Sequence, residues 1–429
     1  MTTRVDASGI AVAVVLLGYG VAFVNVARGI PIDAEAVLTF ILFALAWAAL
    51  LVAARILTPH AVTYPIVIAA ALGAIGLAEV YRIDASLAGR QRWWFIVATA
   101  GAITLLWGLK GNGLASLRRY RYLTLVLAIG LLLLPLLPAD GWLPIAGKTV
   151  NGSRLWVELT LGTFKIQFQP GELAKLPLLV FLASLLTDRP PVPAIATPAR
   201  FGRSDLRRLV PVLLAFSLAM VVLIVQRDLG ASVLLFATFV TLLYAASGHR
   251  AYLISGGVLL GLGGMAAYWA FDHVQVRVGA WLHPFDDPFG SGYQIVQGLY
   301  AMGAGSLTGS GLGLGRPDLI PFAATDFIYA AVAEELGLTG TLSVLSLYGL
   351  LIAAGAGIAL RARDRFRSLL AAGITFVLGI QTFLIVGGVV RLFPLTGITL
   401  PFMSYGGSSL LANVLLLALL LRISHEERA

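Results

Sequence analysis

A few charged and hydroxylic residues stand where an otherwise apolar sequence can least accommodate them. In QPGELAK, residues 169–175, Pro170 suits the first turn of a helix and places Glu172 and Lys175 at i and i+3 on one face. Charges inside an apolar span are costly and are functional candidates by default. Here the two either neutralise each other so that the helix can insert, or line a wet cavity as a cation and an anion. TDFIYAAVAEELG, residues 325–337, opens with Thr325 and Asp326, both good N-cap residues, and carries Glu334 and Glu335 two turns on. A carboxylate at such a mouth can accept a proton. One that merely caps a helix has its pKa lowered, which weakens it as a base unless burial offsets the effect. LPFMSYGGSS, residues 400–409, sets Ser404, Tyr405, Ser408 and Ser409 at the start of the last apolar stretch, where they either face a ligand or cap a helix beside closely packed glycines.

Other chemistries find no support. The run GSGLGLG, 309–315, does not fit G-x-G-x-x-G and follows no strand of a βαβ unit, so it reads as a flexible loop element and not a nucleotide site. The five histidines, at 60, 249, 273, 283 and 425, lack metal-ligand spacing, and no G-x-S-x-G is present. With no cysteine, disulfides, thiolate nucleophiles and cysteine-based metal sites are excluded.

The elements that must position these residues are membrane helices. Of the 429 residues 59% are hydrophobic and only 12% charged, with mean hydropathy +0.91, about half the charged fraction of roughly 25% in a soluble domain. Twelve apolar stretches are long enough to span a bilayer: 8–27, 35–57, 62–78, 93–109, 121–138, 170–187, 208–225, 229–247, 251–271, 327–360, 368–391 and 404–423. The first is long for a signal peptide and lacks a convincing cleavage site, so it is read as an uncleaved span. The expected fold is an all-α polytopic membrane protein whose termini share one side. That side holds 18 of the 30 Lys and Arg and the other side 11, with Lys175 inside a span, which makes the termini cytoplasmic. The net charge of +9 is therefore an orientation signal and not a sign of nucleic acid. Two long outer loops, 139–169 and 272–325, are where chemistry is expected; YQIVQGLYAM (293–302) suits an interfacial or re-entrant helix, and 327–360 a single helix of roughly 50 Å at 1.5 Å per residue, starting outside the membrane. Residues 188–208 form a Pro-rich basic cytoplasmic linker.

Taken in order, GSRLW (152–156), FQPGELAK (168–175), QRDLG (226–230), SGYQ (291–294), TDFIYAAVAEELG (325–337) and PLTGITLPFMSYGGSS (394–409) resemble the SEDS family of bacterial membrane proteins, whose members include RodA, FtsW and SpoVE. The pieces cover roughly 62–423, the family's ten-helix core, here 61–429; residues 1–60 are an extra N-terminal helix pair, as in RodA-type proteins of actinobacteria. Two departures stand out. Phe322, Ala323, Ala324 and Thr325 precede the aspartate where many members have Glu-x-His-Thr, and Arg227 stands where the motif usually has Pro.

The resemblance implies an inverting peptidoglycan glycosyltransferase that polymerises lipid II at the outer face of the bacterial cytoplasmic membrane, in elongation or division. Its implied partners are a class B penicillin-binding transpeptidase and other elongasome or divisome membrane proteins. Asp326 matches the essential aspartate, Glu172 and Lys175 the intramembrane pair, and Arg154 the Arg of GSRxW. A sugar on a lipid pyrophosphate already has a good leaving group, so one base and cations for the pyrophosphate suffice. Asp326 is the expected base. Arg154, Lys175 and Arg277 are candidate pyrophosphate ligands, with Glu172, Tyr293, Gln294, Ser404 and Tyr405 also lining the substrate site. A divalent cation, Mg or Mn, is a candidate cofactor, and no organic cofactor is expected. The rivals are a lipid II flippase and a non-catalytic scaffold; against the first, the charged and aromatic residues cluster in outer loops and not at the midplane.

Overall fold

The computed structural model describes residues 2–138, 145–150, 153–161, 164–188 and 203–428. Their helices are α1 (Thr2–Arg28), α2 (Ala34–Leu57), α3 (Tyr64–Ile83), α4 (Ala85–Gly108), α5 (Gly113–Arg119), α6 (Arg121–Leu133), α7 (Pro170–Asp188), α8 (Arg203–Val225), α9 (Leu229–Ser247), α10 (Ala251–Ala270), α11 (Asp272–Leu282), α12 (Tyr293–Gly305), α13 (Ile328–Arg361), α14 (Arg365–Val389) and α15 (Gly407–Glu426). Three strands, β1 (Ile145–Val150), β2 (Ser153–Leu161) and β3 (Phe164–Phe168), lie between α6 and α7.

Each of the twelve apolar stretches carries a helix, because only a helix satisfies its own backbone in hydrocarbon. Among the described residues nine helices are individually long and apolar enough to cross a membrane; α4 with α5, bent by 87°, makes a tenth, and shorter apolar helices cover 121–136 and 213–225. The protein is thus a polytopic helical membrane protein. α15, α7 and α3 are mostly buried inside it, while α10 is exposed along nearly its whole length, as expected of a helix facing lipid.

Three features differ from the sequence expectation. The outer loop 139–169, whose residues 139–144, 151–152 and 162–163 (with Trp142) lie outside the described residues, folds as an antiparallel sheet in the order β1-β2-β3. In β3 the alternation of Phe164, Ile166 and Phe168 with Lys165 and Gln167 is the period of a strand. Glu158 of β2 sits between Lys148 and Lys165, at 3.6 and 3.2 Å. Of the linker 188–208, residues 189–202 lie outside the described residues and 203–208 already belong to α8.

The third difference concerns α13, which is not one straight helix. Gly337, at φ 65° and ψ −163°, breaks it into 328–336 and 338–361. A left-handed residue cannot continue a right-handed helix, and glycine adopts that conformation without a Cβ penalty. Freed backbone groups at the break are taken up by the loop after α12: Leu338 N donates to Ser306 O at 3.0 Å and Thr339 N to Leu307 O at 3.1 Å. The glycine-rich run 309–315 follows on the same break: Ser310 N donates to Glu334 O at 2.9 Å and Gly311 N to Glu335 O at 3.1 Å.

Candidate active site

Asp326 lies in the turn before α13 and not at its cap. The first helical turn is preceded by Phe327, which makes no side-chain cap, so the capping alternative does not hold and the carboxylate is available for other work. It lines a cavity of about 120 Å³, room for several waters. Arg277 of α11, Gln294 of α12 and the segment 395–398 complete the wall. Arg277 and Asp326 meet over Gly397: a β-carbon there would stand 3.5 Å from Arg277 Nη2 and 3.8 Å from Asp326 Oδ2. Gly397 has φ 69°, and its missing side chain leaves the space between cation and anion open. Burial pushes the Asp326 carboxyl up to about 6, with the Arg277 charge and a hydrogen bond from Thr325 pulling it back.

Each wall is held independently. Arg277 Nη1 donates to the carbonyls of Leu395 and Thr396, at 3.3 and 3.4 Å, leaving further guanidinium donors for an anion. α11 is pinned by a reciprocal pair: Arg391 Nε donates to Trp281 O at 2.7 Å and Trp281 Nε1 to Arg391 O at 3.2 Å. Ser404, which is buried, donates its hydroxyl to Thr325 O at 2.6 Å and accepts from Leu400 N at 2.9 Å, while Tyr405 N donates to Ala324 O at 2.7 Å. Gln91 of α4 braces the same turn, donating to Ser404 O and accepting from Gly406 N, both at 3.3 Å. Ser404 and Tyr405 thus fix the backbone beside Asp326 and are not among the residues lining the cavity. Phe322 and Phe402 are left-handed, at φ 58° and 67°, a strained state for bulky residues that surrounding contacts must enforce.

The intramembrane pair lies behind this wall. Lys175 Nζ reaches both Glu172 oxygens at 2.9 Å and Gln381 Oε1 of α14 at 3.3 Å, which uses its three donors. Gln381 Nε2 in turn donates to Thr399 O at 2.7 Å, one residue past the segment 395–398 that lines the cavity. Arg154 is exposed on β2, its Nε 3.4 Å from Thr149 Oγ1, and Tyr293 is half-buried at the start of α12; neither lines the cavity. Of the expected site residues the structure therefore brings Asp326, Arg277 and Gln294 together, with Glu172, Lys175, Ser404 and Tyr405 as supports.

The family model for FtsW, RodA and SpoVE, described as a cell cycle protein, matches residues 36–429. The chain belongs to this family. The peptidoglycan glycosyltransferase RodA of Mycobacterium tuberculosis strain H37Rv is 40% identical over 373 residues, covering 84% of this chain and 77% of that one. Stage V sporulation protein E of Bacillus subtilis is 36% identical over 314 residues, 72% of this chain and 80% of its own. Among solved structures, a peptidoglycan synthase complex described as coordinating polymerization and crosslinking superposes with TM-score 0.68 at 28% identity, over 86% of this chain and 98% of its own. Rod shape determining protein RodA of Thermus thermophilus gives TM-score 0.56 at 28% identity, over 86% and 97%.

Within this FtsW/RodA/SpoVE protein two residues of the site escape sequence reasoning. Gln381 is a fully buried amide inside the apolar run FVLGIQTFLIV, and a lone polar group in a span was the available signal. Asp228, in QRDLG, caps α9 through Ala231 N at 2.9 Å and is electrostatically coupled to Glu172, Lys175 and Arg277, linking the pair to the cavity wall; burial raises its pKa. The residues before Asp326 that depart from the usual pattern form a tight turn whose Phe322 carbonyl receives Thr325 N at 3.0 Å and Phe327 N at 3.2 Å. No histidine stands in that turn, so the acidity of Asp326 is governed by burial, Arg277 and Thr325.

Proposed function

We infer that this protein polymerises lipid II as a peptidoglycan glycosyltransferase, with Asp326 as general base and Arg277 as the cation that receives the pyrophosphate. What carries the inference is the meeting of Asp326 and Arg277 across Gly397 in one cavity, in a family whose relatives bear that activity in their names.

The reaction is an inverting displacement. The acceptor sugar hydroxyl loses its proton to Asp326 as its oxygen attacks the anomeric carbon of the donor; the bond from that carbon to the lipid pyrophosphate breaks, and its electron pair leaves on the phosphate oxygen. A carboxylate with a pKa of about 6 is ionised at neutral pH yet more basic than an exposed one, which suits a base that must take a hydroxyl proton as the bond forms. Arg277 stabilises the growing negative charge because its guanidinium is already anchored and needs no reorganisation. Gln294 Nε2, 3.4 Å from Pro321 O, is a further donor in the cavity wall. The Glu172–Lys175–Gln381 chain keeps the 395–399 segment in place. Among the described residues no three His, Asp or Glu converge as metal ligands, and the carboxylate in the cavity faces a guanidinium. Asp326 is the one carboxylate among the cavity's lining residues, so an Mg or Mn ion would be held there by Asp326 together with oxygens of the substrate pyrophosphate, and no step is routed through one.

The cavity is lined by Arg277, Ser291 and Gln294 of the expected outer loop 272–325, which supports a reaction at the extracytoplasmic face, where a class B penicillin-binding protein would receive the glycan chains. The test is purified protein supplied with lipid II, alone and with that transpeptidase. Wild type should make polymer, and Asp326→Asn should lose at least 100-fold, the scale of a general base, while still binding lipid II. Equal polymer from both would sink the base assignment. Transfer of labelled lipid II across vesicles without any polymer would favour the flippase.

A further inference from the structure

The glycine-rich run 309–315 and the pair Glu334 and Glu335 have no part in the steps above, yet the structure joins them in one buried knot. Glu335, with no exposed surface, accepts from Arg82 Nε of α3 at 2.8 Å and from Gly313 N at 2.8 Å. Arg82 Nη2 donates to Gly315 O at 2.6 Å. Glu334 accepts from Arg316 N at 2.8 Å, and its carbonyl takes both the amide and the hydroxyl of Ser310 at 2.9 Å. The loop thereby lies across the break at Gly337. Helix α1 closes the knot from the other side: Arg28 Nη2 donates to Arg82 O at 2.6 Å, and Tyr81 Oη to Asn25 Oδ1 at 3.2 Å. Gly313 packs so closely on α1 that a β-carbon there would stand 2.9 Å from Ala27 Cβ and 3.1 Å from Val24 Cα.

The buried charges beside α1 are mostly negative. Glu79, one turn before Arg82, is 1% exposed, and neither of its carboxylate oxygens has a hydrogen-bond partner. Three carboxylates therefore face the one buried guanidinium of Arg82, and the exposed Arg28 of α1 reaches the knot through its hydrogen bond to the Arg82 carbonyl, drawn by Glu335 and Asp318 and opposed by the Arg82 charge. The family match begins at residue 36, so α1 lies outside it.

We propose that α1 is a brace for the catalytic carboxylate: Arg28 and the Arg82–Glu335 pair fix the break in α13, so that the short helix 328–336 holds Asp326 at the cavity. This rests on Asp326 being the base. Glu335 stands at the far end of that short helix, which rises roughly 12 Å at 1.5 Å per residue, and Asp326 lies in the turn that leads into its first residue. A rigid helix turns a tilt at one end into displacement at the other, and a 1 Å misplacement can cost about 100-fold in rate. Arg28, Arg82 and Glu335 are thus positioning residues that touch no substrate.

The experiment uses the full-length protein in lipid vesicles. Polymerisation kcat, KM, its pH profile and thermal unfolding are measured for wild type, Arg28→Ala, Arg28→Lys, Glu335→Gln and Asp326→Ala. Arg28→Ala should lower kcat about tenfold with KM within about twofold, the pattern of a misplaced catalytic group, and should shift the acid limb of the pH profile as the surroundings of Asp326 change. Arg28→Lys, which can still donate to the Arg82 carbonyl, should restore the rate to within about twofold of wild type. Glu335→Gln should lose more. If it fails to fold, the two Arg28 variants decide. An Arg28→Ala protein with wild-type kcat and pH profile, or a loss matched by an equal loss of folded protein, overturns the brace. In either case an inactive Asp326→Ala leaves the base assignment standing, whereas an active one removes both.

Discussion

Asp326 works against its own solvation, and that has two measurable consequences. Its carboxyl is pushed up to about 6 chiefly by burial, so a rate that needs the ionised base should be half lost near pH 6 and fall about tenfold per unit below it. Arg277 opposes the rise. Replacing it by Met should move the acid limb to higher pH as well as slow the reaction, and a limb that stays put or moves down would show that the two charges do not sense each other. The second consequence concerns stability. Between the ordinary carboxylate value near 4 and the raised value near 6, the folded state binds more protons than the unfolded one, so stability falls as pH rises through that window and stays lower above it. Asp326→Asn removes the penalty. At pH 7.5 the inactive variant should unfold later than wild type by on the order of 1–3 kcal/mol, and a lower melting temperature would contradict the burial account.

At the level of elements, the site depends on helices that are interrupted or pinned where an uninterrupted span would be simpler. Gly337→Ala should be among the most damaging single-methyl changes: the residue is left-handed at φ 65°, and a β-carbon would run into the backbone of 307–309. Folded protein with wild-type activity would show that the break does not matter. The Glu172–Lys175 pair permits a cleaner separation. Removing one partner leaves a bare charge in the bundle at a cost of about 3–5 kcal/mol, whereas an apolar pair of similar volume is often neutral. Lys175→Met should therefore unfold readily and Glu172→Leu with Lys175→Met should not, while the double variant stays slow because Gln381 loses its partner; full activity in the double variant would reduce the pair to an insertion device. Glu172, Lys175 and Asp326 could be picked out in the sequence because a charge is conspicuous where 59% of residues are hydrophobic, and the membrane-helix character of the chain because apolar length is read directly. The break at Gly337 could not. It is one of 47 glycines, and its role is created by a loop folding back from 306–316. For Ser404 and Tyr405 the sequence shows polar residues near the site but not that their bonds go to the backbone of 324–325, which only tertiary structure decides. The sheet of β1, β2 and β3 was not legible because strands of 6, 9 and 5 residues fall below the apolar length by which a span is read.

For the whole molecule, orientation determines whether this chemistry can meet its substrate. The positive charges favour cytoplasmic termini by 18 to 11, and on the orientation proposed from that count α11, α12 and the Asp326 cavity lie outside. α10 is the ruler for this arrangement, since its 20 residues run from the short basic turn at 248–250 to the long loop that opens at Asp272 and rise about 30 Å, one hydrocarbon thickness. The chain contains no cysteine, so single cysteines report their surroundings without background. Phe289, 90% exposed in the long loop, and His249, exposed in the short turn, stand at the two ends of that ruler. A membrane-impermeant maleimide applied to intact spheroplasts should label Phe289→Cys and leave His249→Cys unlabelled until the membrane is permeabilised. The reverse pattern would put Asp326 and Arg277 on the cytoplasmic face, where the donor would still have to be flipped, and polymerisation at the outer surface would then have to be abandoned even if the purified protein made glycan in detergent. Labelling of both sites in intact cells would instead mean that α10 does not cross, leaving its exposed apolar length as an interfacial or partner-facing surface and reducing the count of spans on which the charge rule was applied.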